Sequence, residues 1–384
     1  MISAARLAWL QLRRQKVRLA VALAGVAFAV VLMLMQLGFQ DALFTSAVVV
    51  HRRLAADIVL IHPNYNILPY PALFSRRRLY QALGFDGVES VTPLYTGLGR
   101  WKNPRTGLSR TIFVIGIDPA EQVLDIPEVR AARPLIQYPD AVLFDELSRP
   151  EFGPVADTLR GGDDLDTEVS GRRVSVKGIF RLGCSFGIDG TIITSDLNFL
   201  RLFPFHAPGA ISAGLVRLRP GVDARAVRDA LAAALPPDVD VLTRDGYIAR
   251  EVGYWETNTP IGYVFRFGVL MGLVVGAIIV YQILFADIAD HLSEYATLKA
   301  IGYTQGYLAS VVLMEASILA VTGYIPALAV TAWLYGVTGS ATRLPMQLVP
   351  ARAVLALGLT IVMCWVSGLI AMRKLRAADP AEIF

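Results

Sequence analysis

Histidine and cysteine are nearly absent from this sequence, at four and two residues in 384. His51, His62, His206 and His291 are scattered and never form the H-E-x-x-H pattern of a metalloprotease helix, so no metal site is expected. Cys184 lies in a polar region and Cys364 inside an apolar run, which gives no reason to expect a disulfide between them. Charge is also scarce: Asp, Glu, Lys and Arg make up 18% of the chain against 54% hydrophobic residues. There is no G-x-x-x-x-G-K-[ST] loop to cradle a nucleotide, so neither a bound cofactor nor ATP hydrolysis is expected in this chain. The apolar runs also lack the paired carboxylates, or nucleophile and base, that an intramembrane hydrolase requires.

What the sequence does have is hydrophobicity gathered into blocks. Four windows reach the roughly 20 apolar residues that cross about 30 Å of hydrocarbon: Leu19 to Phe39, Ile261 to Phe285, Tyr307 to Tyr335 and Ala353 to Met372. Four spans place both termini on one side. Arg13, Arg14, Lys16 and Arg18 precede the first span, while Arg373, Lys374 and Arg376 follow the last, which predicts cytoplasmic termini. The net charge of +4 then reads as topology, with no nucleic-acid partner implied. The first run, about 21 residues, exceeds the 7–15 of a signal-peptide core and reads as an uncleaved anchor. Cleavage among the small residues around Ala47 is the alternative.

Between the first two spans, residues 41–260 have the composition of a folded soluble domain. Short β-branched runs recur there: "ADIVLIH", "VESVTPLY", "TIFVIGI", "DAVLF", "RRVSVKGIF" and "TIITS", most bounded by Pro, Gly, Asp or Asn. Helical spacing marks "SRRRLYQAL" and "VDARAVRDALAAALP", the latter between the strand-like "GLVRLRP" and "DVDVLT". The predicted fold is therefore an α-helical membrane protein with four transmembrane helices and a large α+β periplasmic domain inserted between helices 1 and 2. The acidic "RGGDDLDTEVSGRR" reads as a surface loop, since its acids lack the spacing of a calcium loop. The basic "SRRR" reads as the solvated face of a helix, with an anionic ligand as the alternative.

The remaining boundaries follow. Residues 1–18 predict an interfacial helix carrying Trp9, and residues 19–40, 261–286, 306–336 and 352–372 are the spans. Residues 337–351 form a short external loop and 373–384 a cytoplasmic tail. Residues 287–305, containing "DIADHLSEYATLKAIGYTQ", face inward as a short interfacial helix. Ile288, Leu292, Tyr295, Leu298 and Ile301 give it drifting helical spacing, and Gly302 provides a stop. Gly268, Gly272 and Gly276 in the second span share one face and predict close packing, against the first span or a second copy of the chain. Glu315 lies about two turns into the third span, where a carboxylate is costly. It is a functional group, or a packing hydrogen bond, or a partly wetted position near the inner surface.

The segment "SEYATLKAIGYTQGYLASVVLMEASILAVTGY" resembles the coupling region of ABC-transporter permeases of the FtsX, MacB and lipoprotein-release superfamily. The matching positions are Glu294, Thr297, Leu298, Lys299, Ala300, Ile301 and Gly302, then Glu315 and Ala316. Pro380, Ala381 and Glu382 in the closing "RAADPAEIF" resemble the family's cytoplasmic end. "VALAGVAFAVVLMLMQLGFQDALF", "FSRRRLYQALG", "VTPLYTGLGRWKNP", "SRPEFGP" and "TPIGYVFRFGVLMG" are similar to the DevC type. The chain departs from the broader family at Thr322, Gly323 and Tyr324, where Gly-Gly often follows, and Pro326 is expected to kink the third span.

The resemblance implies a bacterial inner-membrane location, a separate ATPase subunit that holds ATP and Mg, a second permease copy in a homodimer, membrane lipids as surroundings, a periplasmic adaptor of the membrane-fusion type and a TolC-like outer-membrane channel. Glycolipid cargo is implied by the DevC likeness. In that setting Tyr295, Leu298 and Ile301 would fill a groove on the ATPase, with Glu294 and Lys299 at its rim. The competing expectations are a mechanotransmitting signalling subunit, which moves no cargo, and a lipoprotein-release permease.

Overall fold

A computed structural model describes the backbone of residues 16–377 and the side chains of residues 16–372. The expected N-terminal interfacial helix with Trp9, the basic residues after the last span and the Pro380-Ala381-Glu382 ending lie outside the described residues, apart from the helical Lys16, Val17 and Arg18.

In chain order, α1 (Lys16–Ala47) and α2 (Val49–Arg53) lead into β1 (Ile58–Ile61), β2 (Phe74–Ser75) and α3 (Arg77–Leu83). Next come β3 (Val88–Lys102), β4 (Ser109–Ile117), α4 (Pro127–Ala132), β5 (Ala141–Asp145), α5 (Val155–Arg160), β6 (Leu165–Val169), β7 (Arg172–Phe180) and β8 (Thr191–Ser195). The domain closes with α6 (Asp196–Leu202), β9 (Ala210–Ile211), β10 (Ala213–Leu218), α7 (Ala224–Ala234), β11 (Asp240–Thr243) and α8 (Arg244–Thr257). Then follow α9 (Pro260–Asp290), α10 (Leu292–Ala300), α11 (Gln305–Thr342) and α12 (Pro350–Ala377). Among the described residues four helices, α1, α9, α11 and α12, are long and apolar enough to cross a membrane.

The chain divides into two compact units: a helical one from residues up to Ala42, Ile261–Ala341 and Met346 onward, and a domain from Leu43–Pro260 joined by Thr342–Pro345. Four residues expected in a plain external loop therefore belong with the domain.

The domain is built on a nine-stranded sheet of order β11-β1-β10-β3-β4-β8-β5-β7-β6. Its strands serve two cores, because successive side chains in a strand point to opposite faces. Ile58, Leu60, Ile112 and Val114 enter one cluster, and Val59, Ile61, Phe113 and Ile115 enter the other. That is why "IVLI" and "IFVIGI" read as continuous apolar runs rather than as alternating ones. The 15-residue β3 pairs with β10 through its first half and with β4 through its second. A further bridge, Trp101 to Val169, brings β6 back to the far end of β3 and curls the sheet. Trp101 is fully buried and its indole donates to the Phe152 carbonyl at 3.1 Å.

The acidic stretch read as a loop is in part a strand. Residues Leu165–Val169 form β6, paired antiparallel to β7 with Val169 opposite Arg172. Ser170 and Gly171 both have positive φ, 52° and 81°, as a two-residue turn of the primed type requires. Leu165, Thr167 and Val169 point inward while Asp166 and Glu168 point outward to Arg173 and Lys102. The acids are the solvent face of a half-buried strand, and their number masked its alternation.

The helical unit packs closely through small residues. A methyl group at Gly268 would lie 2.5 Å from the Gln36 amide carbon, one at Gly272 3.1 Å from Met33 Cγ, and one at Gly276 2.6 Å from Ala29 Cβ. Within the chain the glycine face of α9 thus lies against α1, and Gly276 also meets Met363 of α12. From the other direction, Gly25 of α1 faces Ile279, and Gly323 of α11 faces Val26. Tyr335 donates to the Leu34 carbonyl, and Arg352 pairs with Asp41. α11 runs unbroken through Pro326.

Candidate coupling site

The link between α9 and α11 holds most of the residues singled out from sequence. α10 is nine residues long and stops at a glycine. The Gly302 amide bonds to the Lys299 carbonyl at 3.1 Å and the Tyr303 amide to the Leu298 carbonyl at 3.1 Å. Gly302 itself has φ +103°. This is the paired-bond C-cap that a left-handed glycine allows, and it reverses the chain sharply into α11.

The helix has an inner and an outer side. Tyr295, 1% exposed, is buried in the helical core with Leu308, Val311 and Val312, and Ala296 is buried beside it in the chain. Leu298 is half-buried against the same cluster. Glu294, Thr297 and Ala300 face outward, and Ile301 is 71% exposed at the C-cap. The expectation that Tyr295 fills a partner's groove is therefore corrected, while Leu298 stays partly exposed. A nine-residue helix lying on a bundle must bury one side, and its register puts Tyr295 there and leaves Ile301 out. Lys299 is half-buried, while Glu294 keeps its outward position.

Sequence reasoning missed the polar cluster beside this helix. Arg18 of α1 pairs with Asp290 at 2.7 Å and lies 3.9 Å from Asp287. His291 sits four residues after Asp287, its Nδ1 3.0 Å from the Asp287 carbonyl and 3.6 Å from the carboxylate. The start of α1 is thereby tied to the segment leading into α10. The signal was present as "DIADH", a carboxylate and an imidazole at i and i+4. Glu315 in α11 is fully buried, and among the described residues neither carboxyl oxygen has a hydrogen-bond partner. The packing hydrogen bond offered as one reading of Glu315 is not seen among the described residues.

A second polar cluster, also unread in the sequence, lies inside the domain. His51 of α2, Tyr65, and Tyr247 and Glu251 of α8 are all buried. The Tyr247 hydroxyl donates to Tyr65 at 3.0 Å, Tyr65 donates to Glu251 at 2.7 Å, and the Trp255 indole reaches the other Glu251 oxygen at 3.3 Å. The His51 ring lies 4.4 Å from that of Tyr247, with Nε2 3.4 Å from Glu251. Burial, joined by the neighbouring Tyr247 and the Glu251 charge, pushes the Tyr65 phenol well above its ordinary range. Elsewhere in the domain Cys184 and, in α12, Cys364 are free thiols. No group of metal-binding side chains occurs among the described residues.

The residues of a two-core sheet domain fall between the first and second of four apolar helices, with a capped helix between the second and third, and two family matches give this arrangement its class, a permease of the ABC-transporter type. Residues 19–234 match the family described as MacB-like periplasmic core domain, and residues 266–380 match the FtsX-like permease C-terminal family. The chain belongs to this MacB/FtsX permease family, whose members are permease components.

Similar solved structures include the periplasmic region of MacB from Actinobacillus actinomycetemcomitans, 12% identical over 52% of this chain and 94% of that one, with a TM-score of 0.36. Another is the extracellular domain of the noncanonic ABC-type transporter YknZ from Gram-positive bacteria, 12% identical over 49% and 98%, with a TM-score of 0.32. A third is a domain of a permease protein from Porphyromonas gingivalis, 16% identical over 50% and 90%, with a TM-score of 0.31. No curated protein matches. At such scores the family assignment rests on the two sequence matches.

Proposed function

We propose that this chain is the permease subunit of an ABC-type export system in a bacterial inner membrane, with α10 and both termini cytoplasmic and the sheet domain periplasmic. A separate ATPase subunit binds ATP and Mg and docks on α10. Two copies of the permease form the pair, and the domain works on a membrane-fusion adaptor that leads to a TolC-like outer-membrane channel. The resemblance to the DevC type favours lipid-like or glycolipid cargo.

The observation that carries this reading is the two-sided geometry of α10. Its outer side offers Glu294, Thr297 and Ile301 to a partner, and its inner side plants Tyr295 in the core shared by α1, α9, α11 and α12. A push on the outer side reaches the bundle through a packed aromatic ring, and packed cores shift between discrete arrangements rather than deforming smoothly. Glu294, Lys299 and Gly302 keep the roles of rim charges and stop, and Leu298 becomes a supporting contact.

The test is affinity capture of the tagged full-length chain from native membranes with ATP turnover trapped. An ATPase recovered with a coiled-coil adaptor supports the export reading. An ATPase with a periplasmic hydrolase and no adaptor would replace it with signalling, and recovery without an ATPase would end both.

A further inference from the structure

Three arginines with described side chains lie in the four apolar helices of the helical unit. Arg18 faces Asp287 and Asp290, and Arg352 faces Asp41. Arg266 of α9 differs: among the described residues it has no carboxylate partner, and its guanidinium donates only to the Gly262 carbonyl of its own helix, at 3.2 Å. An unpaired cation beside hydrocarbon is costly unless it reaches the interface or meets an anion.

Its surroundings on the helix surface narrow the choice. Tyr263 and Phe267, three residues before and one after Arg266, are 66% and 47% exposed, with their rings stacked at 6.0 Å and 16°. The same face continues through Leu270, Val274 and Ile278, each 43% exposed or more. The spacing 263, 267, 270, 274, 278 is one stripe of an α-helix. Arg266 is six residues from the start of α9 at Pro260, roughly 9 Å along the axis, and the next 10 residues cover the ~15 Å of one leaflet's hydrocarbon. The order along the axis is therefore aromatic pair and cation first, then an apolar track. On α12 the exposed apolar face of Val354, Val362, Trp365 and Leu369 carries no such cation.

We infer that this face of α9 is a binding site for an anionic lipid of the outer leaflet, with Arg266 on the headgroup phosphate and the stripe from Leu270 to Ile278 along an acyl chain. A guanidinium meets phosphate through two parallel hydrogen bonds, and aromatic rings settle at headgroup level. The inference rests on the reading of lipid-like cargo, and it names the residue at which an amphiphile would be held before export.

The test is native mass spectrometry of the purified full-length chain in detergent, titrated with phosphatidylglycerol or with phosphatidylcholine. The wild type is expected to take one phosphatidylglycerol about tenfold more tightly than phosphatidylcholine, the size of one charge-assisted contact. Arg266→Gln is expected to lose that preference and Arg266→Lys to keep most of it. Equal binding of the two lipids, or an unchanged preference in Arg266→Gln, overturns the site. Displacement of phosphatidylglycerol by glycerol phosphate alone would show a free-anion site and overturn it too. So would conversion of a dimer to a monomer by Arg266→Gln, because the face would then belong to a second copy. The measurement involves no ATPase, so failure of the export reading in the capture experiment leaves this result standing, and the reverse also holds.

Discussion

Tyr65 and Glu251, 186 positions apart in the chain, share a 2.7 Å hydrogen bond in a fully buried pocket of the domain. The bond is the centre of a small network in which two donors, Tyr65 and Trp255, serve one carboxylate, with the His51 ring against Tyr65 and Glu251. A carboxylate can be kept in such a place only while its donors are present.

Glu251→Ala removes the acceptor and leaves the Tyr65 hydroxyl and the Trp255 indole without it. It is expected to lower the stability of the domain by about 2–4 kcal/mol, and Tyr65→Phe by about 1–3 kcal/mol. Urea unfolding of the full-length chain in detergent, followed by tryptophan emission, measures both. An unchanged midpoint in Glu251→Ala would show that the network contributes nothing to stability.

Gly276→Ala puts a methyl group against Met363 Sδ of α12 and 2.6 Å from Ala29 Cβ of α1. It is expected to destabilise the helical unit by about 1–3 kcal/mol through overpacking. Gly336→Ala, which meets nothing within 4 Å, is expected to be neutral or stabilising by up to about 1 kcal/mol. Thermal unfolding in detergent compares the two, and equal melting points would remove the case for close packing at Gly276.

The two sides of α10 give a paired prediction. Ile301→Asp is expected to weaken capture of the ATPase at least about tenfold with the melting point unchanged, since Ile301 is exposed. Tyr295→Ala is expected to cost about 3–5 kcal/mol of stability, as for a fully buried aromatic side chain. The opposite pattern, with Ile301→Asp unfolding the protein and Tyr295→Ala leaving it stable, would reverse the assignment of sides.

Burial pushes the Cys184 thiol up to about 11, against about 9 for an ordinary cysteine. At pH 8 the folded protein then holds about 100-fold less thiolate than an ordinary cysteine, and only the thiolate attacks. In a Cys364→Ala background, iodoacetamide labelling is expected to be at least that much slower than in urea, and to rise about tenfold per pH unit up to about pH 11. The linkage has the matching sign. The folded value is raised, so its stabilising contribution is full below about pH 9 and fades as pH climbs toward 11. Labelling in the folded state at the unfolded rate would show that the thiol is exposed.

Much of the architecture is legible in the sequence because its signals are long or repeated. The apolar runs around Val26, Gly272, Leu319 and Ile361 are found by hydropathy alone, and "TIFVIGI" and "TIITS" by β-branched density. β6 was not, because Asp166 and Glu168 on its wet face outweighed Leu165, Thr167 and Val169 on the dry one. In α10 the period was readable but its phase was not. Five apolar residues drifting around a short helix do not say whether Tyr295 or Ile301 meets the core, and only the position of α11 decides it. The Tyr65 to Glu251 network was invisible for a different reason: its members lie on segments joined only by the fold, and an isolated Glu in "AREVGYWET" looks like any solvated helix acid.

The same network places the beginning and end of the domain within hydrogen-bonding distance, His51 being in the first helix after α1 and Glu251 in the last before α9. A domain with adjacent ends is a cassette: it can be spliced into a helix-to-helix connection, enlarged at its distant loops, or exchanged for another, while the flanking helices need no change in length or order. Such a construction separates the two parts of the chain as units of change: a substitution, insertion or exchange within the domain need not be answered by one in the apolar helices.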